Sequence, residues 1–229
     1  MKRINIVYFI WINPNKNYKA IISGQLNDMK KSGLLHKSKL YIEICCEHKN
    51  ITENIKVFIN KIIGEYIYEI NFYLENKYEY YGIKKLYDLA ILEPDRYYLY
   101  LHSKGMFNYD NIDKRHIYEK TLTKGTVYQC KKVIEIFKNH ADVSRIGLFP
   151  SSLNDENFIW LNFFWSRGSY LNTCENPIIT SDRFYYERWS GTGERNSLTY
   201  NLHENNYKKY LLNEVGDILN KLNGEYSLH

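Results

Sequence analysis

Tyr97-Tyr98-Leu99-Tyr100-Leu101-His102-Ser103-Lys104-Gly105 is an aromatic and aliphatic run of five residues that ends abruptly in polar ones. An apolar run without alternation, bounded by turn signals, fits a strand buried on both faces of a sheet. The polar tail then marks the carboxyl end of that strand. Three runs of the same kind precede it, each followed by a helical pattern. Ile4 to Trp11 predicts a first strand, ended by Asn13-Pro14-Asn15. Residues 18–32 place Ile22, Leu26 and Met29 at helical spacing, and Ser32-Gly33 stops that helix. Leu40 to Cys45 predicts a second strand. Ile55, Phe58, Ile59 and Ile62 then line one helix face, with Thr52 as cap and Gly64 as exit. Ile67 to Tyr73 predicts a third strand, and Ile83, Leu86 and Ala90 a third helix that stops before Pro94.

Downstream of the quoted stretch, helices are expected near 114–122 and 126–139, and a fifth strand from Val143 to Phe149. Strands alternating with helices of this length predict an α/β fold, a mostly parallel sheet flanked by helices on both faces. From about residue 150 the pattern changes. Asn157 to Trp165 is rich in aromatics, a short helical stretch holds Asp182, Arg183 and Glu187, and residues 205–223 form an amphipathic closing helix. No repeat, linker or composition break divides the 229 residues. One domain, 1–229, is expected, in two halves at 1–150 and 151–229.

The chain carries 31 basic and 26 acidic residues, a formal net charge of +5 spread along its length. Nucleic-acid binders concentrate such an excess in a stripe, so the balance favours an anionic small ligand instead. Tyr occurs 23 times and Ala three times, a usage written by an AT-rich genome. Cys45, Cys46, Cys130 and Cys174 match no metal-ligand or disulfide spacing and read as buried thiols in a reducing compartment. The opening apolar run is short and lacks a cleavage site, and no run reaches the length of a membrane span. A soluble, cytoplasmic protein is expected.

Several chemistries lack their motifs. There is no phosphate loop, no Gly-x-Gly-x-x-Gly after the first strand, and no Gly-x-Ser-x-Gly elbow. His36, His48, His116 and His140 form no metal pair. Ligands of open α/β sheets bind outside the carboxyl ends of the strands. Of those ends, His102-Ser103-Lys104-Gly105 is the most polar and suits an anion such as phosphate. A solvated lysine and a histidine at the sheet's end would read the same way.

Read together, these stretches resemble a family of small GT-A-type glycosyltransferases similar to the rhamnan synthesis protein F group, which has bacterial, protist and large-DNA-virus members. The resemblance runs from Val7-Tyr8-Phe9-Ile10 through Gln25-Leu26 and Ser32-Gly33-Leu34 to Tyr78-Glu79. It continues through Leu101-His102-Ser103-Lys104, which the family writes as Leu-His-(Thr/Ser)-Lys, and through Arg115, Ile146-Gly147, Asn162-Phe163-Phe164-Trp165 and Glu187-Arg188-Trp189. The family's aromatic segment opens with His and carries Ser-Gly before the Asn. Here those places hold Phe158, Trp160 and Leu161. The Asp-x-Asp metal motif of many GT-A enzymes is absent.

The resemblance implies a hexosyl- or deoxyhexosyltransferase that uses a nucleotide-sugar donor and a glycan or glycoconjugate acceptor, in microbial or viral polysaccharide synthesis. It implies a diphosphate site at His102, Ser103, Lys104, Gly105 and Arg115. The nucleotide is expected near Ile10, Trp11, Asn13 and Glu79, and the acceptor near Asn162, Trp165 and Asp182. Glu187 is the expected base, against the alternative of an i, i+4 ion pair with Arg183. No cofactor is expected to be required; Asp110, Asp113 or Asp182 would be the acids for a metal. Two rivals stand beside the enzyme: a non-catalytic carbohydrate- or nucleotide-binding module of the same fold, and a phosphate-binding scaffold or nucleic-acid partner.

Overall fold

The chain begins with β1 (Ile4–Trp11), α1 (Tyr18–Lys31), β2 (Ser38–Cys45), α2 (Thr52–Ile63), β3 (Tyr68–Tyr73), α3 (Tyr80–Leu92) and β4 (Tyr97–His102). It continues through α4 (Ile117–Val127), α5 (Cys130–Asn139), β5 (Val143–Gly147), β6 (Phe164–Arg167), α6 (Gly168–Leu171), α7 (Arg183–Arg188), β7 (Leu198–Asn201) and α8 (Leu212–Tyr226). This computed structural model describes residues 3–103, 115–153 and 157–226. Its seven strands form one sheet in the order β3-β2-β1-β4-β6-β5-β7. The four strands β3, β2, β1 and β4 are parallel throughout. β6 runs antiparallel between β4 and β5, and β7 returns parallel to β5 at the far edge. The fold is α/β with a mostly parallel sheet, as the alternation of runs predicts.

Strand side chains alternate between faces, and β1 shows how the two cores arise. Ile6, Tyr8 and Ile10 pack with Ile22, Leu26 and Met29 of α1, Ile55 and Ile59 of α2, and Val133 and Phe137 of α5. Val7 and Phe9 face the other way, onto Ile83, Leu86 and Ala90 of α3 and Leu171 of α6. Helices cover both faces, which explains why β1 reads as a continuous apolar run.

Three boundaries differ from the sequence expectation. α4 runs through Gly125 to Val127. That glycine is there for proximity, since a Cβ on it would sit 2.8 Å from Leu148 Cδ1. The closing helix starts at Leu212 because Asn205 adopts a left-handed φ of 59° and Tyr210 bridges Ser151. Only the end of the aromatic stretch 157–165 enters the sheet, as β6 from Phe164, and the four-residue β7 falls where no strand is expected. Among the described residues no helix is long and apolar enough to cross a membrane.

All four cysteines are buried and free. Burial pushes the thiols of Cys45 and Cys174 up from 9.0 to about 12. Burial also raises Tyr8 and Tyr100 well above 10.0, and Glu119 and Glu79 respectively add to it. These groups keep protons in the folded state that the unfolded chain releases. Their contribution to stability is complete below about pH 9 and is lost as pH rises through the folded pKa values. The denaturant midpoint should hold near pH 8 and fall steeply between about pH 9 and 12; a midpoint constant across that range would contradict this.

Candidate functional site

The strand order reverses direction of growth between β1 and β4, so a crevice is expected outside their carboxyl ends. Ser103 closes that junction. Its amide donates to the Phe9 carbonyl at 2.9 Å, and its Oγ accepts from the Trp11 amide at 3.1 Å. The serine is thus a clamp between strand ends, 8% exposed. Lys104 and Gly105 lie outside the described residues.

Beside this clamp, side chains from separate stretches meet around one kink. Leu161 and Asn162 both adopt left-handed backbone, with φ of 70° and 53°. Asparagine tolerates that conformation, whereas leucine there stores strain of about 1–3 kcal/mol. Three groups hold it. Glu187 Oε1 accepts from the Leu161 amide at 2.7 Å, and His102 Nε2 donates to the Leu161 carbonyl at 3.0 Å. The Asn162 amide nitrogen donates to Glu79 Oε2 and to the Tyr186 carbonyl, each at 3.0 Å. Asn162 Oδ1 is buried and accepts no hydrogen bond among the described residues. An orphaned acceptor of this kind costs roughly 1–3 kcal/mol, which a donating ligand or water would offset.

Glu79 occupies the N-cap position of α3, but its carboxylate makes no capping bond. Oε2 instead accepts from Tyr100 Oη at 3.0 Å as well as from Asn162, and Oε1 lies 3.8 Å from His102 Nδ1. The last distance is too long for a hydrogen bond. The Glu79 and His102 side chains stay 21% and 12% exposed, enough to meet a ligand edge-on. α3 reaches down to this cluster at Gly82, where a Cβ would lie 2.7 Å from Phe9 Cβ and 2.8 Å from Tyr100 Oη. Gly82→Ala should therefore displace Tyr100 from Glu79 and destabilise by about 1–3 kcal/mol. Chemical denaturation checks this; an unchanged midpoint would mean that α3 shifts freely.

Other expected site residues take different places. Trp165 is 0% exposed, its indole nitrogen donating to the Thr126 carbonyl at 3.0 Å. Both neighbours of β6 are strands, so this indole is core and has no face for a sugar. Ile10 is likewise a core side chain, leaving only its backbone to meet a nucleotide. Asn13 caps its own turn, accepting from the Asn15 amide at 3.0 Å. Asp182 caps α7 and pairs with Arg188 at 3.0 Å. Glu187 makes its bond to Leu161 rather than the ion pair with Arg183 that the spacing allows.

Arg115 is the largest departure. Its Nε and Nη2 donate to the two oxygens of Glu119 at 2.6 Å each, and Nη1 donates to Asp28 at 2.7 Å. Burial works against its charge, but Glu119 and then Asp28 outweigh it and raise the guanidinium pKa. A Cβ on Gly24 would fall 2.1 Å from Arg115 Cδ, so α1 closes directly on this side chain. Arg115 clasps α1 to α4, and its fork is filled by carboxylates rather than open to a phosphate.

The clasp connects to the cluster through residues that motif reading misses. Thr123 donates to Glu119 at 2.7 Å, Gln25 donates to Thr123 at 3.0 Å, and the same Gln25 nitrogen donates to the His102 carbonyl at 3.1 Å. Tyr8 donates to Gln25 Oε1 at 2.5 Å. The signal for Gln25 exists in the sequence: a polar residue in the inward stripe of Ile22, Leu26 and Met29. On the other side of the sheet order, fully buried Arg145 of β5 donates to the carbonyls of Asn157 and Ser190 and lies 4.2 Å over the Tyr170 ring. It ties β5 to the segment that follows α7.

Among the described residues no group of three His, Cys, Asp or Glu side chains is arranged to hold a metal ion. Asp110 and Asp113 lie outside those residues.

No protein-family model and no curated protein matches the chain. Among solved structures, the crystal structure of a "putative nucleotide-diphospho-sugar transferase" from Desulfovibrio desulfuricans G20 is similar in layout, with a TM-score of 0.44 and 10% identity. The match covers 84% of this chain and 74% of that one. Likeness of that degree says nothing about chemistry, and the finer resemblance to the rhamnan synthesis protein F group gains no support from it.

Proposed function

We propose that the chain is a GT-A-like glycosyltransferase of the kind its motifs resemble, moving a sugar from a nucleotide-diphosphate donor to a hydroxyl of a glycan or glycoconjugate. One observation carries the reading. Glu79, His102, Asn162 and Glu187 come from four separate stretches and meet around Leu161, beside the β1–β4 junction. Ligands of open α/β sheets bind at such junctions.

The geometry supports the following roles. Glu187 Oε1 is held by the Leu161 amide, which leaves Oε2 to take the proton of the acceptor hydroxyl as it attacks the anomeric carbon. The bond from that carbon to the diphosphate breaks, and the leaving group departs with its electron pair and several negative charges. Lys104, which follows His102 and Ser103 in the sequence, would supply a cation to offset them. A fixed cation about 4 Å from a phosphate oxygen contributes on the order of 4 kcal/mol at an effective dielectric near 20. Asn162 Oδ1 supplies an acceptor for a sugar hydroxyl, and Trp11, Asn13 and Glu79 border the nucleotide.

The test is release of nucleoside diphosphate from a panel of nucleotide sugars, with oligosaccharide acceptors and with chelator present. We expect turnover of at least one donor, persisting in chelator. Activity abolished by chelator and restored by manganese or magnesium would overturn the cation assignment. One observation favours the non-catalytic module instead: Glu187 already has a structural task at Leu161. Tight binding of a donor with no turnover would select that reading.

A further inference from the structure

The amino edge of the sheet holds a second concavity, remote from the candidate site. A cavity of about 420 Å³ lies between the starts of β1 and β4, the single helical turn Leu35–Lys37 before β2, and the end of α5. Exposed Arg3, His36, Lys37 and Lys138 border it, over the less exposed Ile4, Tyr97 and Ile134. Tyr97 is itself held by stacking on Phe137 at 5.0 Å. None of the lining residues is acidic. Among the described residues, neither Arg3, Lys37 nor Lys138 forms an ion pair, whereas Lys30 is matched by Glu65 and Lys39 by Glu69.

Three unpaired cations around one concavity repel each other, and low-dielectric walls focus their field into it. A cavity of this volume suits a small molecule. Arg presents a planar fork to phosphate oxygens while lysines act as point charges, and the apolar floor accommodates a non-ionic portion. Along β4, His102 lies five residue steps from Tyr97 at the cavity, roughly 17 Å at about 3.3 Å per residue.

We propose that this amino-edge cavity is a binding site for a compact polyphosphate, a small molecule carrying two or more linked phosphate groups. It is independent of the transferase reading, because it shares no residue with the cluster around Leu161.

Calorimetric titration with sodium tripolyphosphate tests it, using the wild type and Lys37→Ala/Lys138→Ala. Both lysines are exposed, so the double variant should fold as the wild type does, checked by its denaturation midpoint. We expect saturable binding at roughly 50 mM salt that weakens at roughly 200 mM, and a loss of about tenfold or more in the double variant. Should the carboxyl edge also take tripolyphosphate, the titration shows two sites, of which only one disappears. Absence of binding, or binding unchanged in the double variant, would overturn the proposal. So would an oligonucleotide that binds through the same lysines more tightly than tripolyphosphate at equal salt, since that marks a nucleic-acid surface instead.

Discussion

Glu187→Gln should lower turnover by roughly 100- to 10,000-fold while leaving stability and donor affinity nearly unchanged. The contrast arises from what each oxygen does. Oε1 accepts from the Leu161 amide at 2.7 Å, and a glutamine carbonyl placed there accepts the same bond. The left-handed pair Leu161–Asn162 therefore keeps its support, and with it the contacts to His102 and Glu79. Only the ability to take a proton is removed. Glu187→Ala, by comparison, removes both and should also destabilise by about 1–3 kcal/mol, the desolvation penalty of a buried amide left without an acceptor. Wild-type turnover in Glu187→Gln, together with a loss in Glu187→Ala, would make Glu187 a positioning residue and move the base elsewhere. Steady-state kinetics and denaturation of the two variants decide it.

Arg115→Met should destabilise the fold by about 3–5 kcal/mol. Asp28 and Glu119 are 8% and 1% exposed at their side chains, and the guanidinium is what offsets both charges. Without it two carboxylates are left together in a poorly solvated place. Denaturation of wild type and variant at neutral pH measures the deficit. A deficit below about 1 kcal/mol accompanied by a raised donor KM would show instead that Arg115 leaves its carboxylates to bind phosphate.

The first half of the fold is legible because its signals are local. β1 reads as a strand from eight successive residues, and Gly33 ends α1 by supplying a left-handed φ of 72°. Gly125 lies inside α4 for a physical reason that its letter does not carry: it admits Leu148, whereas other glycines end helices. β6 is hidden by composition, since aromatics buried in a sheet and aromatics presented to a sugar look alike in sequence. Trp165 is misplaced for that reason. His102 is legible as the polar end of an apolar strand, and Glu79 as an acid at a helix start. Their meeting with Asn162 and Glu187 is not, because it depends on contacts 26 to 83 positions apart, at Leu161–Glu187, His102–Leu161 and Asn162–Glu79. The left-handed Leu161 has no sequence signal at all, as leucine is not a residue chosen for that conformation.

The central claim is that the carboxyl edge between β1 and β4 takes the donor. A crystal structure of the protein soaked with a mixture of nucleoside diphosphates measures this directly. The account predicts one nucleotide with its diphosphate within hydrogen-bonding distance of the His102–Lys104 stretch, and its base and ribose toward Trp11 and Asn13. A nucleotide bound only at the amino-edge cavity of Arg3, Lys37 and Lys138, with no density beside His102, would contradict it.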